Sequence, residues 1–144
     1  MIEKDTVRLL RECDAGIRMG VDSINGVIDK VKGDALRDTL TRCREEHESL
    51  GDEVRSLLDE YRDEGKKPNP MARSASWIKT NVEIAMDRSD ETIASLMTDG
   101  CNMGVKSLSR YLNRYAAADE RSKSIAKRLI SLESDAAISL RSNL

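Results

Sequence analysis

Apolar side chains recur along the N-terminal part of the chain at Val7, Leu10, Cys13, Ile17, Val21, Ile24, Ile28 and Val31. Steps of three and four stack side chains on one face of an α-helix. A second run, Leu36, Leu40, Cys43, His47, Leu50, Val54, Leu57 and Tyr61, keeps that alternation without a break. Between the two, "KGD" at 32–34 supplies a turn, with Asp34 as N-cap of the second helix. So short a connection predicts an antiparallel neighbour. The stretch "EGKKPNP" at 64–70 is the clear breaker, and Asn69 and Pro70 read as N-cap and first residue of a further helix. That helix has Trp77, Ile78, Val82, Ala85 and Met86 on its apolar side. "DRSDE" at 87–91 then offers a cap or kink that divides the region into two collinear pieces. The longer piece carries Ile93, Met97, Cys101, Gly104, Leu108, Tyr111 and Tyr115; after "AAADE", Ile125, Leu129, Leu132, Ala136 and Leu140 mark a last helix. No run alternates with the period of a strand. The pattern predicts an all-α protein: an antiparallel up-down-up-down four-helix bundle with a short extra helix between helices 2 and 3, one domain over residues 1–144.

Glycines qualify the first helix. Gly16, Gly20 and Gly26 each lower intrinsic helicity by about 1 kcal/mol relative to Ala. Tertiary packing must therefore hold it, through close backbone approach at Gly16 and Gly20.

Composition removes several function classes. The 24 basic residues against 26 acidic ones create no single-sign field for nucleic acid or an anionic membrane. With no Phe, one Trp and three Tyr, the chain lacks the aromatic platforms on which single-stranded bases stack. "MIEKDTVRLL" does not have the basic and then apolar layout of a signal peptide, and no apolar run approaches the ~20 residues of a membrane span. The expectation is a cytoplasmic protein. Three scattered cysteines without a CxxC pair indicate free thiols, not a disulfide framework or a zinc knuckle. Cys13, Cys43 and Cys101 all fall on apolar seams, where a thiol behaves as a small hydrophobe with a raised pKa. A Cys13–Cys43 disulfide is not expected, because the fold-back leaves the two ~14 Å apart in height against a limit of ~7 Å between Cα atoms.

The single histidine lies in "CREEHESL". His47 reads as a packed, hydrogen-bonded seam residue in preference to a metal ligand or an acid/base group, because a lone histidine lacks the orienting partner both roles use. The flanking charges "REEHE" form a solvated face with i,i+4 pairs. Trp77 reads as packing under the 65–70 connection in preference to filling a partner groove. No P-loop, GxGxxG, HExxH or Ser/His/Asp arrangement occurs.

The order of these helices, with "HESL" in helix 2 and "TDGCNMGVKSL" in helix 3, resembles small uncharacterised bacterial ferritin-like proteins, a domain of unknown function. In them a Pro/Gly-containing connection and a short extra helix separate two helical hairpins. The resemblance covers nearly the whole chain, and the helix 3 stretch is similar to a Glu-x-Gly-Glu-Asp segment of those relatives. Ferritin-like di-iron sites take one carboxylate from each of two helices and a Glu-x-x-His pair from each of the other two. Here Arg44 stands three before His47, and Glu45 and Glu46 point elsewhere on the helix. Cys101, followed by Asn102, stands where relatives carry a glutamate. Helix 4 has no histidine and offers Ser134 and Asp135 at the ligand position. Folding back about residues 32 and 33 sets His47 opposite Ile17, Gly20 and Val21 with no carboxylate; Glu12 and Asp14 fall off that seam or about a turn away. The second fold-back sets Cys101 level with Ser134. The resemblance thus implies a degenerate di-metal site with no cofactor and no catalytic residue, in a non-enzymatic interaction or stress-related module acting through a protein partner. If a site exists, His47, Cys101 and Glu46 are its candidates, and residual metal or thiol redox chemistry in the core is the alternative. An adaptor that forms a homodimer through an exposed seam is a third reading.

Overall fold

The structure, a computed structural model, describes residues 3–61, 63 and 89–144. Its described elements are all helical: α1 (Lys4–Val27), α2 (Asp34–Glu60), α3 (Asp90–Arg114) and α4 (Glu120–Leu140), with 3-10 turns at Ile28–Lys30 and Arg141–Asn143. The short helix expected from Asn69 and Pro70, and the packing expected of Trp77, lie outside the described residues. Among the described residues no helix is long and apolar enough to cross a membrane.

Local chemistry starts each helix. Ser89 caps α3 by accepting the Thr92 N–H at 3.2 Å, and Asp119 caps α4 by accepting the Ser122 N–H at 2.8 Å; both satisfy backbone donors that a helix start leaves orphaned. At α2 the cap is displaced from the expected Asp34. Gly33 holds the N-cap position in an extended conformation without a side-chain bond of its own. The Asp90 carboxylate, arriving from α3, accepts the N–H groups of Lys32 and Gly33 at 2.9 and 2.7 Å. Asp34 is left as the first helical residue and accepts a bond from Arg37 at 2.9 Å. Two further bonds gather the opposite end: Thr6 Oγ1 accepts the Asp119 N–H at 2.8 Å, and the Tyr61 hydroxyl donates to Asp119 at 3.3 Å.

The core divides into two apolar clusters. One gathers Ile24, Val27, Leu36, Leu40, Ile93, Met97 and Leu140; the other gathers Leu9, Leu10, Ile17, Leu50, Val54, Leu108 and Leu129. Each fully buried Leu or Ile contributes about 1.5–3 kcal/mol of transfer free energy, so these two clusters dominate what holds the helices together. The periodic stripe on α1 is only part of what that helix buries. Val7, Val21 and Ile28 are half-buried, whereas Leu9, Met19 and Val27, off the stripe, are buried. The reason is that α1 packs against α2, α3 and α4, and a helix with three neighbours buries more than one face.

Candidate functional site

Among the described residues a layer centred on a polar pair separates the two clusters, and one residue of each helix builds its centre. Along α1 it is Gly20, between Ile17 and Ile24; along α2, His47, between Cys43 and Leu50. Along α3 it is Gly104, between Cys101 and Leu108; along α4, Glu133, between Leu129 and Ala136. His47 is 1% exposed and Glu133 8%. Their polar ends meet: His47 Nε2 lies 2.7 Å from Glu133 Oε1.

The other ring nitrogen fixes the proton inventory. His47 Nδ1 is 2.8 Å from the Cys43 carbonyl oxygen. A carbonyl only accepts, so Nδ1 carries a hydrogen and donates it. The remaining proton then lies on the Nε2–Oε1 line, as an imidazolium donating to a carboxylate. Burial by itself pulls the His47 pKa down; the hydrogen bonds with Cys43 and Glu133 and the Glu133 charge outweigh it and raise the value to about 10. The pair carries no net charge, which is what lets two ionisable groups occupy an apolar interior.

The glycines make the room. A Cβ at residue 20 would stand 2.8 Å from both Cδ2 and Nε2 of His47, and one at residue 104 would stand 3.3 Å from Glu133 Cδ. Two helices give up side-chain volume so that the other two can insert an imidazole and a carboxyl.

Thiols flank the pair. Cys43 Sγ lies 3.5 Å from His47 Nδ1. Burial, then the Glu133 and Cys43 charges and a hydrogen bond with Glu133, push the Cys101 thiol far above its ordinary value. Cys13 belongs to the other cluster, where burial and then Glu12 and Asp14 push it up to about 12. All three cysteines are free and buried. His47, Glu133, Cys43 and Cys101 border one cavity of about 80 Å³. Ser23 also borders it, and among the described residues its buried hydroxyl has no hydrogen-bond partner.

Several expectations about this layer need correction. His47 does have a carboxylate beside it, and it comes from α4, not α1. The residue that meets it is Glu133: Ser134 is half-buried and Asp135 is exposed. Cys101 borders Glu133. Glu46 is exposed and borders outer grooves away from His47. The signal for Glu133 was present in the steps Leu129, Glu133, Ala136, Leu140, which pass through it with the same period as the stripe read through Leu132.

The donor set of a ferritin-like di-iron centre does not fit these residues. Both imidazole nitrogens are engaged, and Arg44 Nη1 donates to Asn25 Oδ1 at 2.8 Å. Among the described residues, no group of three or more His, Cys, Asp or Glu converges in a way that could hold a metal ion. No family model, no curated protein and no solved structure matches the chain.

Proposed function

We propose that the chain is a divergent ferritin-like protein, an antiparallel up-down-up-down four-helix bundle with a short extra helix, whose di-metal centre has been replaced by a proton-bridged pair. In this reading it is a non-enzymatic cytoplasmic module of the interaction or stress-related kind, working through a protein partner at its surface. The observation that carries the reading is the double engagement of His47: Nδ1 on the Cys43 carbonyl and Nε2 on Glu133. A proton occupies the line a cation would need, and the imidazole retains no lone pair for a hard or borderline metal. The arrangement of the helix ends also supports it, with Asp90 bound to the α1–α2 turn and Asp119 to the start of α1. Elemental analysis of protein purified from native-like medium tests it. The expected result is no stoichiometric iron, manganese or zinc; about one such ion per chain, lost in His47→Ala, overturns the reading.

A second reading has an observation of its own. Cys43 and Cys101, from different helices, border the same cavity as the His47–Glu133 pair, which favours residual metal or thiol redox chemistry in the bundle core.

A further inference from the structure

We propose that the cavity beside the His47–Glu133 layer binds a soft monovalent metal ion of the copper(I) class, held by the sulfur atoms of Cys43, Cys101, Met19 and Met97. The inference rests on the second reading above and specifies its metal.

Sulfur is concentrated here. Two of the three cysteines and three of the six methionines border this one cavity. They arrive from three helices: Met19 from α1, Cys43 from α2, and Met97, Cys101 and Met103 from α3. On α3, Met97 and Cys101 are four residues apart and therefore share a face. Thiolate and thioether donors select copper(I), whereas carboxylate, carbonyl and water suit the harder ions. The buried imidazole and the buried carboxylate of the layer are bound to each other at 2.7 Å. Apart from the exposed Asp99 at the rim and the Ser23 hydroxyl, the side-chain donors that the cavity leaves available are sulfur.

Ser23 gives independent evidence that the space is meant to be filled. It is 5% exposed, it borders the cavity, and its hydroxyl has no partner among the described residues. Buried hydroxyls are ordinarily satisfied by protein, water or ligand. A volume of about 80 Å³ accommodates an ion with a companion water beside that hydroxyl.

Entry and charge both balance. Met103, 46% exposed, and the exposed Asp99 form the rim between α1 and α3, so a thioether meets the incoming ion before the thiols do. Binding converts a thiol S–H and a monovalent cation into a neutral S–metal bond and a proton released to solvent. No oxidant or reductant is required, and the His47–Glu133 pair keeps its zero net charge.

The test is anaerobic titration of the reduced, folded protein with copper(I) against the chromophoric chelator bicinchoninate, with parallel titrations of zinc(II) and ferrous ion. The folded chain is expected to withdraw about one copper(I) equivalent. Met97→Leu conserves volume and leaves the helical circular dichroism intact, yet is expected to lower the affinity by about tenfold or more. The Cys43→Ser/Cys101→Ser double variant should abolish withdrawal, whereas Cys13→Ser, in the other cluster, should leave it unchanged. Retention of all the copper by bicinchoninate, or equal loss in Cys13→Ser and Met97→Leu, overturns the proposal. If copper(I) fails but zinc(II) or ferrous ion is retained, the copper assignment falls and the second reading stands. If all fail, both fall.

Discussion

Gly20 on α1 presents bare backbone to the edge of the His47 ring: a Cβ there would stand 2.8 Å from both Cδ2 and Nε2. The ring cannot retreat, because its two nitrogens are held by the Cys43 carbonyl and by Glu133. Gly26, further along the same helix, has nothing within 4 Å of the corresponding position. Alanine is the better helix former at both sites by about 1 kcal/mol. Gly26→Ala is therefore expected to stabilise the protein by up to about 1 kcal/mol, and Gly20→Ala to destabilise it by about 1–3 kcal/mol through overpacking. Urea melts of the two variants decide it; a Gly20→Ala protein as stable as Gly26→Ala would show that the ring is not pinned.

The His47–Glu133 pair makes a sharper prediction about additivity. Removing one partner strands the other in an apolar interior, at a cost of about 3–5 kcal/mol, whereas replacing both by apolar residues removes the stranded charge. His47→Leu and Glu133→Leu should each destabilise strongly, and the double variant less than either. A double-mutant cycle by chemical denaturation measures this. Simple addition of the two losses would mean the groups do not depend on one another.

How far this layer can be read from sequence depends on which residue is considered. His47 announces itself, because a histidine interrupting Cys43 and Leu50 on an apolar stripe must find a buried partner. Gly104 sits on its stripe as well, whereas the α1 stripe was read through Val21, one residue past Gly20. Glu133 does not stand out: α4 can be read through Leu132 or through Glu133 with equally good steps, and a glutamate is ordinarily assigned to solvent. Only the depth of the helices relative to one another, which no local period encodes, puts Glu133 at the height of His47. The same limit explains α2. Its start depends on the Asp90 carboxylate more than fifty residues away, so a local reading gave the cap to Asp34. Helix existence and helix type, which follow from the 3.6-residue period alone, were legible throughout the described residues.

Asp90 carries a pH dependence of known sign. The Lys32 N–H bond, against a smaller opposing effect of burial, holds its carboxyl below the usual carboxylate range; the Gly33 N–H bond and the Lys32 and Arg37 charges act in the same direction. A carboxyl with a depressed folded pKa contributes stability that is present above its unfolded value, near ~3.9, and lost as pH falls through the folded value. The parent should lose stability on acidification below about pH 4. Asp90→Asn should be less stable at neutral pH and fall less steeply in that window, with Asp119, also held low, supplying part of the remaining slope. Thermal melts between neutral and acid pH compare the slopes; identical slopes would mean that the bonds to Lys32 and Gly33 do not persist.

The cysteines should be slow to react in the folded state. Burial hides all three sulfurs; it also pushes the Cys13 thiol up to about 12 and the Cys101 thiol far above its ordinary value, so those two offer little thiolate at neutral pH. Alkylation without denaturant should lag far behind alkylation in urea. Rapid labelling of all three in native buffer would contradict the packing described here.

Cys101 allows the ancestral-site idea to be tested in reverse. Its side chain is small and borders Glu133 and the cavity, so Cys101→Ala should cost only about 1–2 kcal/mol, the scale of deleting a small buried group. Cys101→Glu supplies the carboxylate that the proposed ferritin-like origin would call for, but places it against Glu133, whose charge is already committed to His47. Two neighbouring carboxyls cannot both ionise cheaply in an apolar layer. The new group must stay protonated or force the helices apart, at a cost of several kcal/mol. Thermal melts of both variants, with and without ferrous or manganous ion, separate the outcomes. A Cys101→Glu protein as stable as the parent without metal would place residue 101 in solvent, against its burial here. Rescue by either ion would show that His47 and Glu133 can still open to a hard cation, and would overturn the proposal that the proton has permanently replaced the metal.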